Sequence, residues 1–460
     1  MSDYRFLKNP AVPIKALIQQ LHDECVSNLE STHYLAIHDS SEINLSKHQK
    51  RINLNHPGIG RIGSPRKSKT NSNSTHQQGF YIHPTMLVNT QTQSIAGFAG
   101  VEIWTRDLEQ NQERDQEYPK QSIELKESMK WIQAGQSVGL CLEQAQTKGQ
   151  QVKATLVSDR ESDVYEYFHQ RPESVDVLVR VRCDRLIGTP DQNQVLVSPT
   201  NTTRLNKAKE AGRITHLYEQ LERQALQGTI EVRLEADPRH QRTARTALLE
   251  VRYAKVLLLA PKNLKRSAGL EYPALPVFVI EVREDPSGVP DGQEPVLWRL
   301  MSTHQVDSLE TALQLVSWYK LRWLIELFFA ALKGCGLQLE DCLLERGLAV
   351  QRLMLLGFPC AAMILQLQRS RENQGLDARI VFSVDEIVFL KRLTPTFEGK
   401  TPKQKCSYAQ GSLGWAAWVV ARLGGWKGYA SERPAGVKTF YWGLEKFQAM
   451  FEGWKFAQNV

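Results

Sequence analysis

Residues 34–41 read Tyr-Leu-Ala-Ile-His-Asp-Ser-Ser, a short apolar run that ends in a polar turn. The apolar part predicts a buried strand, which places Asp39 at its C-terminal end. Residues 152–157 predict a second buried strand, and Asp159 follows it directly. Helical spacing of apolar residues over 124–145 lies between the two strands. This alternation of strands and helices predicts an α/β fold.

The pattern continues on both sides of these strands. Residues 79–89 and 94–104 predict two adjacent strands, as in a hairpin. The region 228–282 is rich in strand patterns, which predicts a β insertion. A further strand is expected at 296–301, followed by one long helix over about 308–332 and by helical segments to the C-terminus.

Composition sets broad limits. The chain has 460 residues, 42% of them hydrophobic, which suffices for two to three domains with full cores. A net charge of +7 suits a polyanionic partner but is common in other proteins. Seven cysteines without a Cys-x-x-Cys pair indicate neither a disulfide framework nor a zinc site. We expect no membrane span and no cleaved leader, and therefore a cytoplasmic protein.

Three carboxylates are candidates for metal binding. Asp39 and Asp159 end separate core strands, and Glu326 lies on the later helix. Hard divalent cations take oxygen ligands, and a pair of them can activate the attacking oxygen of phosphoryl transfer and stabilise the leaving one. A lone aspartate at a strand end is more often a turn former or a helix cap.

The helix that carries the glutamate has a polar stripe. Tyr319, Arg322, Glu326 and Lys333 are separated by three, four and seven residues, which places them on one helical face. A solvated face with an Arg322–Glu326 ion pair is the simpler interpretation, and spacing alone favours it.

The order Tyr319-x-x-Arg322-x-x-x-Glu326-x-x-x-x-x-x-Lys333 resembles the signature of the DDE transposases of bacterial insertion-sequence family 4, and the whole chain is most similar to their transposon 5-like branch. Other segments resemble this family in the same order over nearly the whole chain. They are residues 4–6 with Asn9-Pro10, residues 36–41, residues 126–128 with Lys130-Trp131, residues 159–161, and residues 411–413 with 421–425.

This resemblance implies a ribonuclease-H-like catalytic core that is interrupted by a β insertion and followed by a C-terminal helical dimerisation domain. We expect the divisions as follows: an N-terminal helical remnant at 1–30, the first part of the core at 31–215, the insertion at 216–295, the last core strand and glutamate helix at 296–375, and the helical domain at 376–460.

The resemblance also implies the chemistry. Asp39, Asp159 and Glu326 would hold two divalent ions, Mg²⁺ or Mn²⁺. The substrate would be double-stranded DNA, both the end repeats of a transposon and the target. The implied steps are nicking at the transposon end, hairpin formation, hairpin opening and strand transfer.

Five further residues match DNA-contacting positions of the family. Tyr319, Arg322 and Lys333 would bind phosphates near the cleaved end. Trp298 matches a position that stacks on a flipped base, although a core tryptophan on a strand explains it equally well. Arg180 matches a basic position near the active site, and a surface strand residue is its simpler interpretation.

The chain departs from the family at its start, where residues 4–6 stand almost at Met1, so an N-terminal DNA-binding domain is expected to be missing. One alternative function is therefore a truncated, non-catalytic inhibitor that dimerises with full-length transposase; another is a nuclease that acts on branched or unspecific DNA. A homodimer is expected through apolar C-terminal side chains, although a packed helical domain explains them as well. These side chains belong to Trp415, Trp418, Val419, Leu423, Trp426, Trp442, Leu444 and Phe447.

Overall fold

The computed structural model describes residues 2–48, 50–52, 56–63, 77–106, 121–190, 202–234, 236, 242–261, 272–335, 337–370, 375–401, 404–428 and 433–458. Within these residues the fold is mixed α/β, as predicted. The strands are β1 His33–His38, β2 Ser41–Asn44, β3 Gly60–Arg61, β4 Gln78–Asn89, β5 Ile95–Trp104, β6 Lys153–Ser158, β7 Val175–Arg180, β8 Leu186–Gly188, β9 Ile214–His216, β10 Gly228–Leu234, β11 Arg245–Leu258, β12 Leu275–Glu284 and β13 Leu297–Ser302.

The helices of the described residues alternate with these strands in the first two thirds of the chain and dominate the last third. They are α1 Ser2–Lys8, α2 Ile14–Ser27, α3 Met129–Thr147, α4 Tyr165–His169, α5 Thr202–Glu210, α6 Leu217–Glu222, α7 Leu309–Lys320, α8 Trp323–Ala330, α9 Gly347–Arg369, α10 Val384–Phe397, α11 Leu413–Leu423 and α12 Val437–Gln458.

The chain divides into two compact units. The first, called here the glutamate unit, comprises Met1–Leu29, Ser40–Leu108 and Trp323–Val460. The second, called the aspartate unit, comprises Glu30–Asp39 and Glu109–Arg322.

The aspartate unit is built on a mixed sheet in the order β1-β6-β7-β13-β12-β11-β8-β9, with β10 paired to β11. β1, β6 and β7 are parallel, whereas the pairings from β7 onward are antiparallel. The strands predicted in the insertion are confirmed as β10, β11 and β12, and β13 links them to β7. Five of the six residues of β1 and of β6 are buried, as expected of parallel strands with covered faces.

Helix α3 packs closely against β6 and against the segment before β7, and a glycine lies at each contact. A Cβ atom on Gly135 would lie 3.2 Å from the Leu156 side chain, and one on Gly139 would lie 2.9 Å from that of Pro172. Since real side chains rarely come so close, an alanine at Gly139 would force α3 away from the segment that contains Pro172. This packing holds the middle of α3 close to β6 and to the segment that contains Pro172.

A partly buried polar network crosses the early residues of β1, β6 and β7. Thr155 Oγ1 lies 2.8 Å from His33 Nε2 and 2.7 Å from His304 Nε2. His304 Nδ1 lies 3.5 Å from Asp176 Oδ2, and the Trp318 ring packs 4.8 Å from the His33 ring. Burial and, to a smaller extent, the neighbouring His304 lower the pKa of His33 to about 4. His33 is therefore neutral near pH 7, and burial also lowers the pKa of His304.

We expect this network to make the fold less stable in mild acid. The unfolded chain takes up a proton on His33 below its ordinary pKa of 6.5, whereas the folded chain does so only near its pKa of about 4. Stability contributed by neutral His33 is thus present above pH 6.5 and is lost as the pH falls toward 4. At pH 5 the loss from this group is roughly 2 kcal/mol.

The measurement is urea unfolding at pH 7.5 and pH 5.0. The variant His33→Gln should lose roughly 2 kcal/mol less than the natural chain between these pH values. His169→Gln, which removes an exposed imidazole from the same unit, serves as the control. An equal pH dependence in His33→Gln and the natural chain would show that His33 does not contribute.

The glutamate unit combines a small antiparallel sheet with helices. β4 pairs with β5, which confirms the predicted hairpin, and β2 and β3 also pair with β4. Helix α9 is long and apolar enough to cross a membrane by length and composition, but 67% of its apolar window is buried inside the structure. Arg352 of α9 is itself buried and donates hydrogen bonds to the carbonyls of Leu7 and Val12. This is the pattern of a core helix.

The apolar C-terminal side chains pack mainly with one another. Helices α10, α11 and α12 share a core, in which the Trp415 indole donates a 3.0 Å hydrogen bond to Thr394 Oγ1. Of the eight side chains that the sequence offers for a dimer surface, five are buried in this core, and Trp442 is 45% exposed. Their burial supports a packed helical region rather than an open apolar face. The five are Trp415, Trp418, Val419, Leu423 and Phe447.

Candidate active site

The two strand-end aspartates lie at one edge of the parallel sheet. β1 and β6 are neighbours, and Ile37 pairs with Val157 at the last described position of the ladder. Asp39 and Asp159 each stand two residues beyond this pair, and both are half-buried. Because adjacent strands are roughly 4.8 Å apart, the register places the backbone positions of Asp39 and Asp159 at the same edge of the sheet. The prediction that each aspartate directly follows the end of a core strand is confirmed.

Asp159 also begins a short helical turn. Its carboxylate accepts a 2.8 Å hydrogen bond from the Glu161 backbone N–H, and its carbonyl accepts a 2.7 Å bond from Ser162 Oγ. Asp159 therefore caps this helical turn, as one interpretation of the sequence predicted. A carboxylate has about four acceptor positions, so capping is compatible with a second role.

Asp39 forms an ion pair with Arg322. Arg322 Nη1 donates to Asp39 Oδ2 at 2.9 Å, and each side chain is 16% exposed. Charge-assisted bonds of this length are among the stronger polar contacts in proteins. The pair fixes the guanidinium beside the first aspartate.

The prediction of one continuous helix over 308–332 is wrong. α7 ends at Lys320, and α8 begins at Trp323. Leu321 and Arg322 form a turn, in which the Arg322 N–H bonds to the Tyr319 carbonyl, three residues back. A π-helical turn, Ala331–Cys335, then follows α8. Because residues 320–323 contain neither glycine nor proline, hydrophobic periodicity does not reveal the break.

Tyr319 lies beside Trp298 and among arginines. The rings of Trp298 and Tyr319 pack edge to face, with centroids 6.1 Å apart. Burial raises the pKa of Tyr319, Asp159 also raises it, and Arg322 and Arg180 lower it. Trp298 is half-buried, so it is neither a fully enclosed core residue nor a free platform.

Arg180 is tied to the strand that carries Trp298. Its backbone pairs with that of Leu300, and its Nη2 donates to the Leu297 carbonyl at 3.2 Å. Burial lowers the pKa of Arg180, and the positive charges of Arg160 and Arg322 add to this effect. Cations that depress one another's pKa in this way form a region of positive potential, which suits a phosphate group.

The aspartate unit therefore holds six of the eight predicted site residues. These are Asp39, Asp159, Arg180, Trp298, Tyr319 and Arg322. The electrostatic interactions of Arg180, Tyr319 and Arg322 with one another, of Tyr319 with Asp159, and the ion pair on Asp39 place most of them in one neighbourhood.

The other two predicted residues belong to the glutamate unit. Glu326 lies in the first turn of α8 and is half-buried. Lys333 lies in the π-helical turn, where its Nζ donates to Ser41 Oγ at 3.1 Å and to the Glu42 carbonyl at 2.9 Å. Glu340 lies 3.8 Å from the same ammonium. Lys333 is thus held in a defined position by polar contacts.

No role was assigned from the sequence to one basic side chain near the aspartates, that of Lys130. Lys130, in the first turn of α3, has a side chain that is only 12% exposed. Burial lowers the pKa of Lys130, while four carboxylates raise it, Asp39 and Asp159 among them. The available signal was a lysine in the first helical turn, where the helix dipole disfavours positive charge.

The donor chemistry at the strand ends suits a hard cation, because Asp39 and Asp159 supply carboxylate oxygens at the ends of neighbouring strands. Asp39 is paired with Arg322, so a cation must share or displace that oxygen. Among the residues described above, no three histidine, cysteine, aspartate or glutamate side chains are grouped closely enough to hold a metal ion. The two aspartates fit such an ion by the chemistry of their oxygens, and Glu326 is assigned as a third ligand by the resemblance alone.

No model of a known protein family matches the chain.

Proposed function

We propose that the chain is a DDE-type DNA transposase that cuts and joins DNA phosphodiester bonds with the help of divalent metal ions. The observation that carries this proposal is the placement of Asp39 and Asp159 at matched ends of neighbouring parallel strands, with Arg322 bonded to the first. We regard the sheet β1-β6-β7 with α3 as part of a ribonuclease-H-like core. Glu326 enters the proposal through its spacing from Tyr319 and Arg322 in the sequence.

The residues divide into metal-binding and phosphate-binding groups. Asp39, Asp159 and Glu326 would hold two ions, Mg²⁺ or Mn²⁺. Such ions supply positive charge that favours attack on a phosphodiester and departure of the leaving oxygen. This assignment makes the acidic residues necessary for bond cleavage but unnecessary for DNA binding.

The basic residues would bind and orient the DNA. Arg180 and Arg322 form a positive region around Tyr319, where a phosphate can accept hydrogen bonds from the guanidinium groups and the phenol. When a phosphate binds there, Arg322 can exchange part of its contact with Asp39 for the phosphate. Lys333 adds a second charge, which Ser41 and Glu42 already hold in position.

Trp298 is proposed to stack on a base that leaves the helix during hairpin formation. Its half-buried position against Tyr319 leaves one part of the ring accessible while the other is fixed. Stacking on an aromatic ring offsets part of the cost of removing a base from the duplex.

The proposed steps are nicking, hairpin formation and strand transfer at the ends of an insertion sequence, in the cytoplasm. The inhibitor alternative depends on an apolar dimer surface, and most of the side chains offered for it are buried within the chain itself. Catalysis therefore remains the better-supported function, with a homodimer as a separate proposal that involves the exposed Trp442.

The test is cleavage of a plasmid that carries the chromosomal DNA on both sides of the gene. The full chain should convert supercoiled plasmid to nicked and linear forms with Mg²⁺ or Mn²⁺ and should leave it intact with a chelator. Cuts that cluster at paired inverted repeats support a transposase, whereas unspecific cuts support the nuclease alternative. Intact plasmid under every metal condition, from a chain that still binds DNA, would favour the inhibitor.

A further inference from the structure

Lys130 occupies an unusual place for a lysine. It is the second residue of α3, in the first turn of the helix, and its side chain is 12% exposed. Lysine is rarely buried unless its charge is balanced. The helix dipole adds to the cost, because its positive end lies at this turn. The charged form of Lys130 is therefore stable at this position only if negative charge lies close to its ammonium group.

Carboxylates supply part of that negative charge. Glu161 Oε2 lies 3.8 Å from Lys130 Nζ, but the Glu161 side chain is 70% exposed, so this ion pair is loose and well solvated. Glu127, Asp39 and Asp159 also favour the charged form and raise the pKa of Lys130 against the effect of burial. The ammonium is thus within electrostatic reach of both strand-end aspartates.

Aromatic packing fixes the direction of the lysine. Its Nζ lies 5.0 Å from the centre of the Trp131 ring, a cation–π contact. Trp131 is 1% exposed and packs edge-on against His38, with ring centroids 5.3 Å apart. His38 immediately precedes Asp39, and its Nε2 lies 2.7 Å from the hydroxyl of Tyr167. This chain of buried contacts anchors Lys130 beside the end of β1.

We propose that Lys130 is a further substrate-binding residue of the candidate active site, which contacts the DNA phosphate that lies against Asp39 and Asp159. This inference rests on the proposed function. Metal ions on the aspartates would cancel the negative charge that now balances Lys130, and a bound phosphate would restore it. Lys130 would act from the α3 side of the site, whereas Arg322 reaches Asp39 from the turn after α7.

The test is the salt dependence of DNA binding by the full chain. Binding is measured by the fluorescence anisotropy of a labelled duplex in the presence of Ca²⁺. Lys130→Met keeps the aliphatic stem and removes the charge. It should bind about tenfold more weakly at low salt, and the slope of log affinity against log salt should fall by about one. Lys130→Arg should keep the slope. Lys148→Met, at the exposed opposite end of α3, is the matched control and should behave like the natural chain.

Duplexes with a single methylphosphonate linkage separate a direct contact from a general loss of charge. Neutralising the contacted phosphate should weaken binding by the natural chain but should have no further effect on Lys130→Met. An equal loss at every linkage in both proteins would overturn the proposal, as would an unchanged salt slope in Lys130→Met. If Lys130→Met does not fold, as judged by circular dichroism, Lys130→Gln and Lys130→Arg provide the same comparison.

Cleavage by the natural chain keeps this inference distinct from the proposed function. If the natural chain cleaves DNA with Mg²⁺ and Lys130→Met binds DNA as tightly as the natural chain does, only the role of Lys130 is wrong. If the natural chain neither binds nor cleaves DNA, the proposed function fails, and the role of Lys130 fails with it.

Discussion

Asp159→Asn is expected to cleave DNA about a thousand times more slowly than the natural chain while folding normally. The amide has nearly the shape of the carboxylate, and asparagine caps helical turns about as well as aspartate does. Its oxygen can still accept the hydrogen bond that the Glu161 N–H gives to Asp159. A neutral amide is a much weaker ligand for a hard cation, and the lost charge corresponds to about 4 kcal/mol of transition-state stabilisation.

The measurement is the rate of plasmid nicking as a function of Mg²⁺ concentration, together with thermal unfolding of each variant. Asp285→Asn is a closely matched control, because Asp285 also caps a short turn in the aspartate unit and accepts a 2.9 Å bond from the Ser287 N–H. This control should nick at the natural rate. Full activity of Asp159→Asn would show that Asp159 is a cap and nothing more.

The strands that carry the two aspartates could be predicted from the sequence for a physical reason. A parallel strand that is buried on both faces needs a continuous apolar run, and such a run is visible locally, as in residues 34–37 and 152–157. The polar residue that ends the run then marks the edge of the sheet. Which two strands become neighbours is not local information, and the β1–β6 register comes from the structure.

The break after α7 shows where local patterns fail. Apolar residues keep their helical spacing through residues 308–332, so periodicity predicts one helix. The structure turns at Leu321 and Arg322, and Arg322 there bonds to Asp39, which lies 283 positions away in the chain. A contact at that separation leaves no trace in the spacing of neighbouring residues. The local interpretation offered Glu326 as the partner of Arg322 instead.

The burial of Lys130 also could not be predicted from the sequence. A lysine in a first helical turn is ordinarily solvated, and its exposure depends on what packs around it. Here Trp131 and His38 belong to elements far apart in the chain and come together only in the folded sheet. The resemblance drew attention to residues 126–131 as a segment but assigned no role to the lysine.

Glu326→Gln is expected to lower the rate of metal-dependent cleavage by about a thousand-fold, with DNA binding in the absence of metal unchanged. Glutamine keeps the length of the side chain, and the core face of α8, which includes the fully buried Phe328 packed 5.0 Å from Phe358, is not altered. Removing a negative charge also removes repulsion from phosphates, so binding should not weaken. Glu310→Gln, at an exposed position in the first turn of α7, is the control.

The two carboxylate variants together decide more than either does alone. Loss of cleavage in both Asp159→Asn and Glu326→Gln, with folding and metal-free binding intact, would show that both carboxylates are needed for the reaction. Loss in Asp159→Asn with a fully active Glu326→Gln would confirm the strand-end aspartates but reject the glutamate of the motif. The resemblance would then be wrong at its most specific position, because the spacing from Tyr319 to Lys333 is what assigns the third ligand. A different acidic residue would have to complete the metal site.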